Sequence, residues 1–346
     1  MAKNKITVLA LLILFVLSFF QAPATPAAED PAAFYKGKTV MLTVGSSPGG
    51  GYDTWARLVA PALGKLIGAT VVVKNMPEAG GVVALDDIYH TRNARGLKIH
   101  LARDILPPLL EATDFPGTSA RWEVQKLQWL ARLSTDPATF AGSPKKFKSF
   151  EDVRKAKQFL CGVDAAMSVS GTRTAIALEA LGLENGKIVA GYPGGSERRL
   201  AVIQGELNGT SGSYDSLEKY FASGDLVPLW VMSKEKIKEN PKVPTVFELG
   251  IKPEARKWLD WQLNVEETGR TLVAPPDTPQ DRVKYLRDAL GKILNDPRFL
   301  KEVAIRKYSV QYLPGDQIQG VFKKVMNLSK KEKGDLIYIL KTKYMK

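Results

Sequence analysis

The chain has almost no cysteine and almost no histidine. Cys161 stands alone among 346 residues, which excludes an intramolecular disulfide. His90 and His100 are the only imidazoles, too few for a His/Cys metal centre, and a Ser-His-Asp hydrolase would lack a well-placed base. Nucleotide-binding fingerprints are missing as well. Gly49-Gly50-Gly51-Tyr52-Asp53 lacks the spacing of a dinucleotide fold, and Gly182–Lys187 is one residue short of a phosphate loop and has no Ser or Thr after its lysine. There is no G-x-S-x-G elbow and no H-E-x-x-H helix. Cys161 lies in an apolar run and reads as packing, while Asp86–Asp87 and Glu266–Glu267 are sequence neighbours that point apart and read as solvated surface. These absences leave binding without chemistry: no catalytic residue, cofactor or metal is expected.

Long hydrophobic runs are also scarce. The one of note, Ile6–Phe20, follows Lys3 and Lys5 and precedes the small residues Ala22-Pro23-Ala24, the pattern of a secretory signal peptide over residues 1–24. No cysteine lies nearby to carry a lipid; the fifteen apolar residues fall only a little short of the roughly 17–25 that span a bilayer, so an uncleaved anchor is the alternative to a cleaved leader. The small flanking residues favour cleavage, and a bacterial periplasmic destination is expected. The net charge is +13, but lysines and arginines are scattered and not interleaved with aromatics. The balance favours anions in general over nucleic acid.

What is present is a repeated grammar of strand, glycine turn and helix. Thr39–Val44 reads as a buried strand, Ser46–Gly51 as a turn bare of side chains, and Asp53 as the N-cap of a helix to Ile67. Trp55, Leu58, Val59, Ala62, Leu63, Leu66 and Ile67 share one face of it; Pro61 either bends it or divides it in two. A second strand (Ala69–Val73), a second turn (Asn75–Gly81) and a helix (Val82–Tyr89) follow, then a third strand at Leu97–Ala102 in which His100 is structural. Ala112–Glu123 is loop-like and Leu127–Leu133 a strand or connector. The pattern resets over Ser134–Lys148, where a second lobe begins. That lobe opens on a capping box at Ser149, continues with a strand at Phe159–Val163, a polar loop at Ala165–Thr172 and a helix at Thr174–Leu181, and ends Ile188–Ala190 in a turn whose Ser196 caps the next helix. Late strands at Leu229–Met232 and Thr271–Ala274 and a helix opened by Thr278-Pro279 complete the plan. The expected division is 25–133 plus 265–346 for the first lobe and 134–264 for the second. Glycine turns feeding helix N-termini at one sheet edge attract an anion.

Five blocks in this order resemble the tripartite tricarboxylate transporter receptors, the TctC/Bug family of solute-binding proteins. They are Val44–Arg57 (like PGGG-[T/Y]-D-x-x-A-R), Val71–Gly81 (VVVxNxPGAGG), Gly191–Ser196 with Gln204–Gly209 (YxGxxE…GExDG), Val243–Gly250 (VPTxxExG) and Ala274–Pro279 (APxxTP). The resemblance implies an α/β, two-lobed periplasmic binding protein of type II, a Venus flytrap with its ligand cleft between the lobes. It implies a monomer that captures a small organic anion, a carboxylate, and delivers it to the membrane components of the transporter. A ligand-sensing adaptor, or a secreted enzyme using Asp53 or Asp215 as base, remain the alternatives. Carried over residue by residue, Gly50, Gly51, Tyr52 and Asp53 would form the first-lobe clamp, with Asp53 capping more than touching, and Ala79 and Gly80 would flank it. From the second lobe the resemblance implies Ser168, Ser170, Gly171 and Thr172, then Gly194, Gly195 and Ser196, with Tyr214 and Asp215 reaching the cleft. This sequence departs from the family pattern at Glu78, where glycine is usual, at Asn208, where an acid is usual, and at Ser168–Thr174, which has no histidine. Arg173 and Arg198 are expected on the surface, with charge pairing to the ligand as the alternative.

Overall fold

The computed structural model describes residues 29–102, 122–135 and 137–345. The leader expected over 1–24 and most of the loop expected over 112–123 lie outside the described residues.

A short helix α1 (Pro31–Tyr35) leads into β1 (Thr39–Val44), whose Val40, Leu42 and Val44 are fully buried. Helix α2 (Gly51–Ile67) returns across the sheet with Trp55, Leu58, Val59, Leu63 and Ile67 turned inward. Full burial of each such side chain stabilises by roughly 1.5–3 kcal/mol. The helix runs unbroken through Pro61, an exposed position beyond exposed Arg57, whose carbonyl loses its intrahelical donor where water can replace it. It begins before Asp53: the N-cap is Gly50, and Asp53 lies in the first turn, which corrects the expected capping role. Strand β2 (Thr70–Asn75), helix α3 (Val82–His90), β3 (Lys98–Ala102) and β4 (Gln128–Ser134) complete the first passage.

The chain then crosses to a second sheet through β5 (Ala138–Gly142), α4 (Phe150–Lys155), β6 (Phe159–Gly162), α5 (Val169–Ala180), β7 (Gly186–Val189), α6 (Gly195–Gln204), β8 (Gly209–Ser213), α7 (Tyr214–Ala222) and β9 (Val227–Met232). Two helix starts differ from expectation. Helix α5 begins at Val169, inside the expected polar loop, because Ser168 Oγ accepts from Gly171 N–H as an N-cap. Helix α6 begins at Gly195 with Gly194 as N-cap, so Ser196 is its second residue and does not cap it. The strand order is β7-β6-β8-β5-β9, parallel around β6 and antiparallel around β5. Its core stacks Phe140 on Trp230 with centroids 4.4 Å apart. The central strand β8, Gly-Thr-Ser-Gly-Ser, escaped the hydrophobic pattern because it must be small: a β-carbon on Gly209 would stand 2.6 Å from the Phe159 ring.

The return passes through α8 (Arg256–Thr268) to β10 (Arg270–Ala274), then α9 (Gln280–Leu294), α10 (Pro297–Ile305), β11 (Leu313–Pro314), α11 (Gly315–Met326) and α12 (Lys330–Tyr338). The first sheet then reads β11-β4-β10-β3-β1-β2, with β1, β2 and β3 parallel and β10 inserted antiparallel between β3 and β4. The two crossings touch: Arg270 pairs with Ser134, and Gly269 (φ +57°) leaves no room for a β-carbon beside the Ser134 carbonyl. The tail, expected with the first lobe, ends on the second sheet. Ile188 N–H donates to Tyr344 O at 2.8 Å, and Glu179 accepts from Lys343 Nζ at 2.6 Å and Tyr344 OH at 2.7 Å.

Candidate functional site

Strands β1, β6, β7 and β8 each deliver a helix at their carboxyl ends, the edge where open α/β sheets bind ligands. The first residues of all four helices face one cavity of about 90 Å³: Gly50 and Gly51 of α2, Val169 and Ser170 of α5, Gly195 of α6, and Ser213 and Ser216 of α7. Three of these helices, those capped by Gly50, Gly194 and Ser213, have no side-chain cap on their N–H groups. Each N-terminus carries roughly half a positive charge, so the cavity is an anion site by backbone alone. Glycine at two of them leaves room for arginine side chains. A β-carbon on Gly51 would lie 3.2 Å from Arg270 Nη2, and one on Gly195 would lie 2.9 Å from Arg199 Nη1.

Four guanidinium groups line the same cavity. Arg270, 5% exposed at the crossing, donates to Ser134 Oγ (2.6 Å) in one lobe and to Ser213 Oγ (2.7 Å) in the other, and meets Asp215 at 3.5 Å. The rings of Tyr52, Trp55 and Tyr308 surround it at 5.6–6.0 Å. Arg173 forks onto Glu266 (2.7 and 2.6 Å), and Gln262 Nε2 donates to the same carboxylate. Arg198 lies 3.3 Å from Asp164 and donates to Ser211 O at 2.9 Å and Thr210 Oγ1 at 3.2 Å. Asp164 also accepts from Ser170 Oγ at 2.7 Å, so one buried carboxylate orients two cavity residues. Arg199 donates to Ser196 Oγ at 3.2 Å and lies 5.0 Å from the Tyr220 ring. Burial would raise the Tyr220 phenol, but the Arg199 and Lys219 cations outweigh it and hold its pKa below the ordinary value.

The surface positions expected for Arg173 and Arg198 are thus corrected, since both are buried, and so is the solvated reading of Glu266. Charged side chains enter the interior when a partner waits there, and these partners come from other elements.

Of the residues put forward from sequence, Gly50, Gly51, Tyr52, Ser170 and Gly195 line the cavity. Asp53 does not. It accepts from Gly49 N–H (2.9 Å), Asn75 Nδ2 (3.0 Å) and Arg57. Burial would raise its carboxyl, but these donors hold the pKa below the ordinary value. Ala79 and Gly80 form a left-handed turn (φ +50° and +69°) outside the cavity, with Gly80 against Ala165 of the other lobe. Ser168, Gly171 and Thr172 shape the start of α5: Ser168 caps it, Gly171 fits under the Ala165 and Ala166 carbonyls, and Thr172 donates to Val169 O. Gly194 faces Ser47 across the cleft, and Ser196 accepts from Arg199. Tyr214 and Asp215 border a second, wider groove of about 1,120 Å³ that shares Glu266 with the cavity. Sequence reasoning missed Ser134, Arg199, Ser213, Ser216 and Arg270. For Arg270 a signal existed, a glycine and a charge opening an otherwise apolar strand.

The lobes meet around the cavity. Ser47 Oγ donates to Glu197 at 2.8 Å, and Lys307 Nζ donates to Glu218 at 2.7 Å. Among the described residues no three His, Cys, Asp or Glu side chains cluster as metal ligands, and no helix is long and apolar enough to cross a membrane.

Comparison with known proteins gives the same frame. The chain is 25% identical to protein BugT of Bordetella pertussis over 314 residues, covering 89% of this chain and 92% of that protein. The fold is shared with the periplasmic binding protein BugD (TM-score 0.71, 18% identity, 90% of this chain and 100% of that one). It is also shared with MatC from Rhodopseudomonas palustris with bound malate (TM-score 0.68, 18% identity, 87% and 99%). The family model for the tripartite tricarboxylate transporter family receptor, TctC, matches residues 55–338. A two-domain α/β binding-protein fold and a family match across most of its length make this chain a member of the tripartite tricarboxylate transporter receptor family.

Proposed function

We propose that the protein is a periplasmic receptor that closes its two lobes on a small carboxylate and delivers it to the membrane components of a tripartite tricarboxylate-type transporter. The observation that carries this reading is the convergence of four helix N-termini and four arginines on one inter-lobe cavity. A site so electropositive and so poor in unpaired carboxylate selects an anion. Family membership supports delivery to a transporter, and the malate held by MatC is of the proposed ligand class. The lobes would divide near Ser134 and Gly269 and swing about these paired crossings, with Ser47–Glu197 and Lys307–Glu218 made only in the closed form. A thermal-shift screen of the mature chain against mono-, di- and tricarboxylates tests the reading. Ligand at a hundred times its dissociation constant stabilises by about 2.7 kcal/mol. Saturable stabilisation, compaction in small-angle scattering and capture of the transporter's membrane subunits are the expected results. No response to any carboxylate would overturn it.

A further inference from the structure

Three of the cavity's four arginines already have an anion. Arg173 holds Glu266, Arg198 holds Asp164, and Arg270 holds Asp215. Arg199 is different. It is 4% exposed, and among the described residues no carboxylate pairs with it and its Nε has no hydrogen-bond partner. Its contacts are the Ser196 hydroxyl and Tyr220, through both the ring and the phenol oxygen, and none carries a full negative charge. Its Nη1 presses over Gly195 at the uncapped start of α6, so this guanidinium is directed at the helix N-terminus that faces the cavity. On the opposite wall Ser46 Oγ, on a residue 3% exposed, also lacks a hydrogen-bond partner among the described residues. Buried polar groups are nearly always satisfied, so two orphans facing one cavity from two lobes mark what the ligand supplies.

We infer that the ligand is a short monocarboxylate, its carboxylate on Arg199 and the α6 N-terminus and a second contact on Ser46. The charge argument is direct: with three arginines neutralised in place, one full positive charge is left to be matched. Size agrees. The cavity, about 90 Å³, is small. Ordinary ligand pockets hold roughly 300–1,000 Å³. That space favours a carboxylate on a short carbon chain, and a second carboxylate would meet no unpaired cation among the cavity's arginines. This inference rests on the carboxylate-receptor reading and narrows it.

The test is calorimetric titration of the mature chain with lactate, pyruvate and propionate against succinate, malate, adipate and citrate, with lactamide as the uncharged control. The expected result is monocarboxylate binding at least about 10-fold tighter than any di- or tricarboxylate, and none for lactamide. Arg199→Gln should weaken monocarboxylate binding about 100-fold and Ser46→Ala about 10-fold. Arg199→Lys, which keeps the charge and loses the planar fork, should fall between wild type and Arg199→Gln. Circular dichroism and a urea midpoint check folding, and Arg199→Lys with Ser46→Ala carries the test if Arg199→Gln does not fold. Di- or tricarboxylates binding as tightly as lactate, or Arg199→Gln titrating like wild type, would overturn this inference and leave the carboxylate receptor standing. Silence toward every acid would overturn both.

Discussion

His100 makes the stability of this protein depend on pH in a window where few other groups titrate. The ring lies in β3 between β1 and β10, 1% exposed, with Nδ1 2.9 Å from Thr43 Oγ1 and 3.1 Å from Thr43 O. The carbonyl contact assigns the proton to Nδ1. Burial lowers its pKa from 6.5 to about 4; the Thr43 hydrogen bond and Asp87 oppose this and Lys98 adds to it. Between those two values the unfolded chain binds a proton that the folded chain refuses. Stability is therefore fully present above pH 6.5 and is lost as pH falls toward 4. The steepest slope is about 1.4 kcal/mol per pH unit, and the loss between pH 7.5 and 4.5 comes to about 2.5 kcal/mol. Urea midpoints at intervals over that range would measure it, with His100→Asn for comparison. The variant should start less stable, from lost packing, yet lose less of its stability on acidification by about 2 kcal/mol. Keeping above pH 4.5 avoids Asp53, whose lowered pKa places its contribution above 3.8 and its loss at lower pH. Parallel profiles for wild type and variant, or a His100 ring signal titrating near 6.5 in nuclear magnetic resonance, would refute the argument.

Other outcomes follow from contacts already described. Gly194→Val adds side chain where Ser47 Oγ sits across the cleft, at a residue whose extended backbone accepts any side chain. It should leave the fold intact while abolishing ligand-induced compaction in small-angle scattering; full compaction would refute this. Gly171→Ala drives a β-carbon into the Ala165 and Ala166 carbonyls and should cost about 3 kcal/mol in urea unfolding. Asp164→Asn removes the charge that holds Arg198 and leaves one acceptor oxygen where Arg198 and Ser170 had two, and should destabilise by about 3 kcal/mol. Its combination with Arg198→Met should cost less than the two single changes summed, and strict additivity would count against a coupled pair.

The periodic parts of the fold were legible in the sequence. Strands β1, β2 and β3 announce themselves because apolar β-formers run between glycine turns, and α2 because one face repeats at helical spacing. Gly50, Gly51 and Gly195, which line the cavity, were legible as turn residues because bare backbone next to a helix start has few uses other than turning or binding. The failures share one cause. Strand β8 is small because Phe159 of a neighbouring strand occupies its side-chain space, and nothing local records that. Helix α5 starts early because Ser168 finds Gly171 N–H in a run that reads as loop.

The sequence by itself determined the two-lobed α/β plan and the placement of glycine turns before helices. These depend on residue type and spacing within a few positions of one another, where backbone sterics and helix periodicity act. Only the tertiary structure decided the charge of the cleft. Ser-Glu-Arg-Arg at 196–199 is a plausible solvated face until Asp164, brought from a preceding loop, neutralises Arg198 and leaves Arg199 unmatched. Glu266 is surface until Arg173 arrives from another helix. Whether an ion is buried, and whether it is satisfied, is set by a Coulomb partner within about 4 Å. That distance is fixed by packing between elements far apart in the chain.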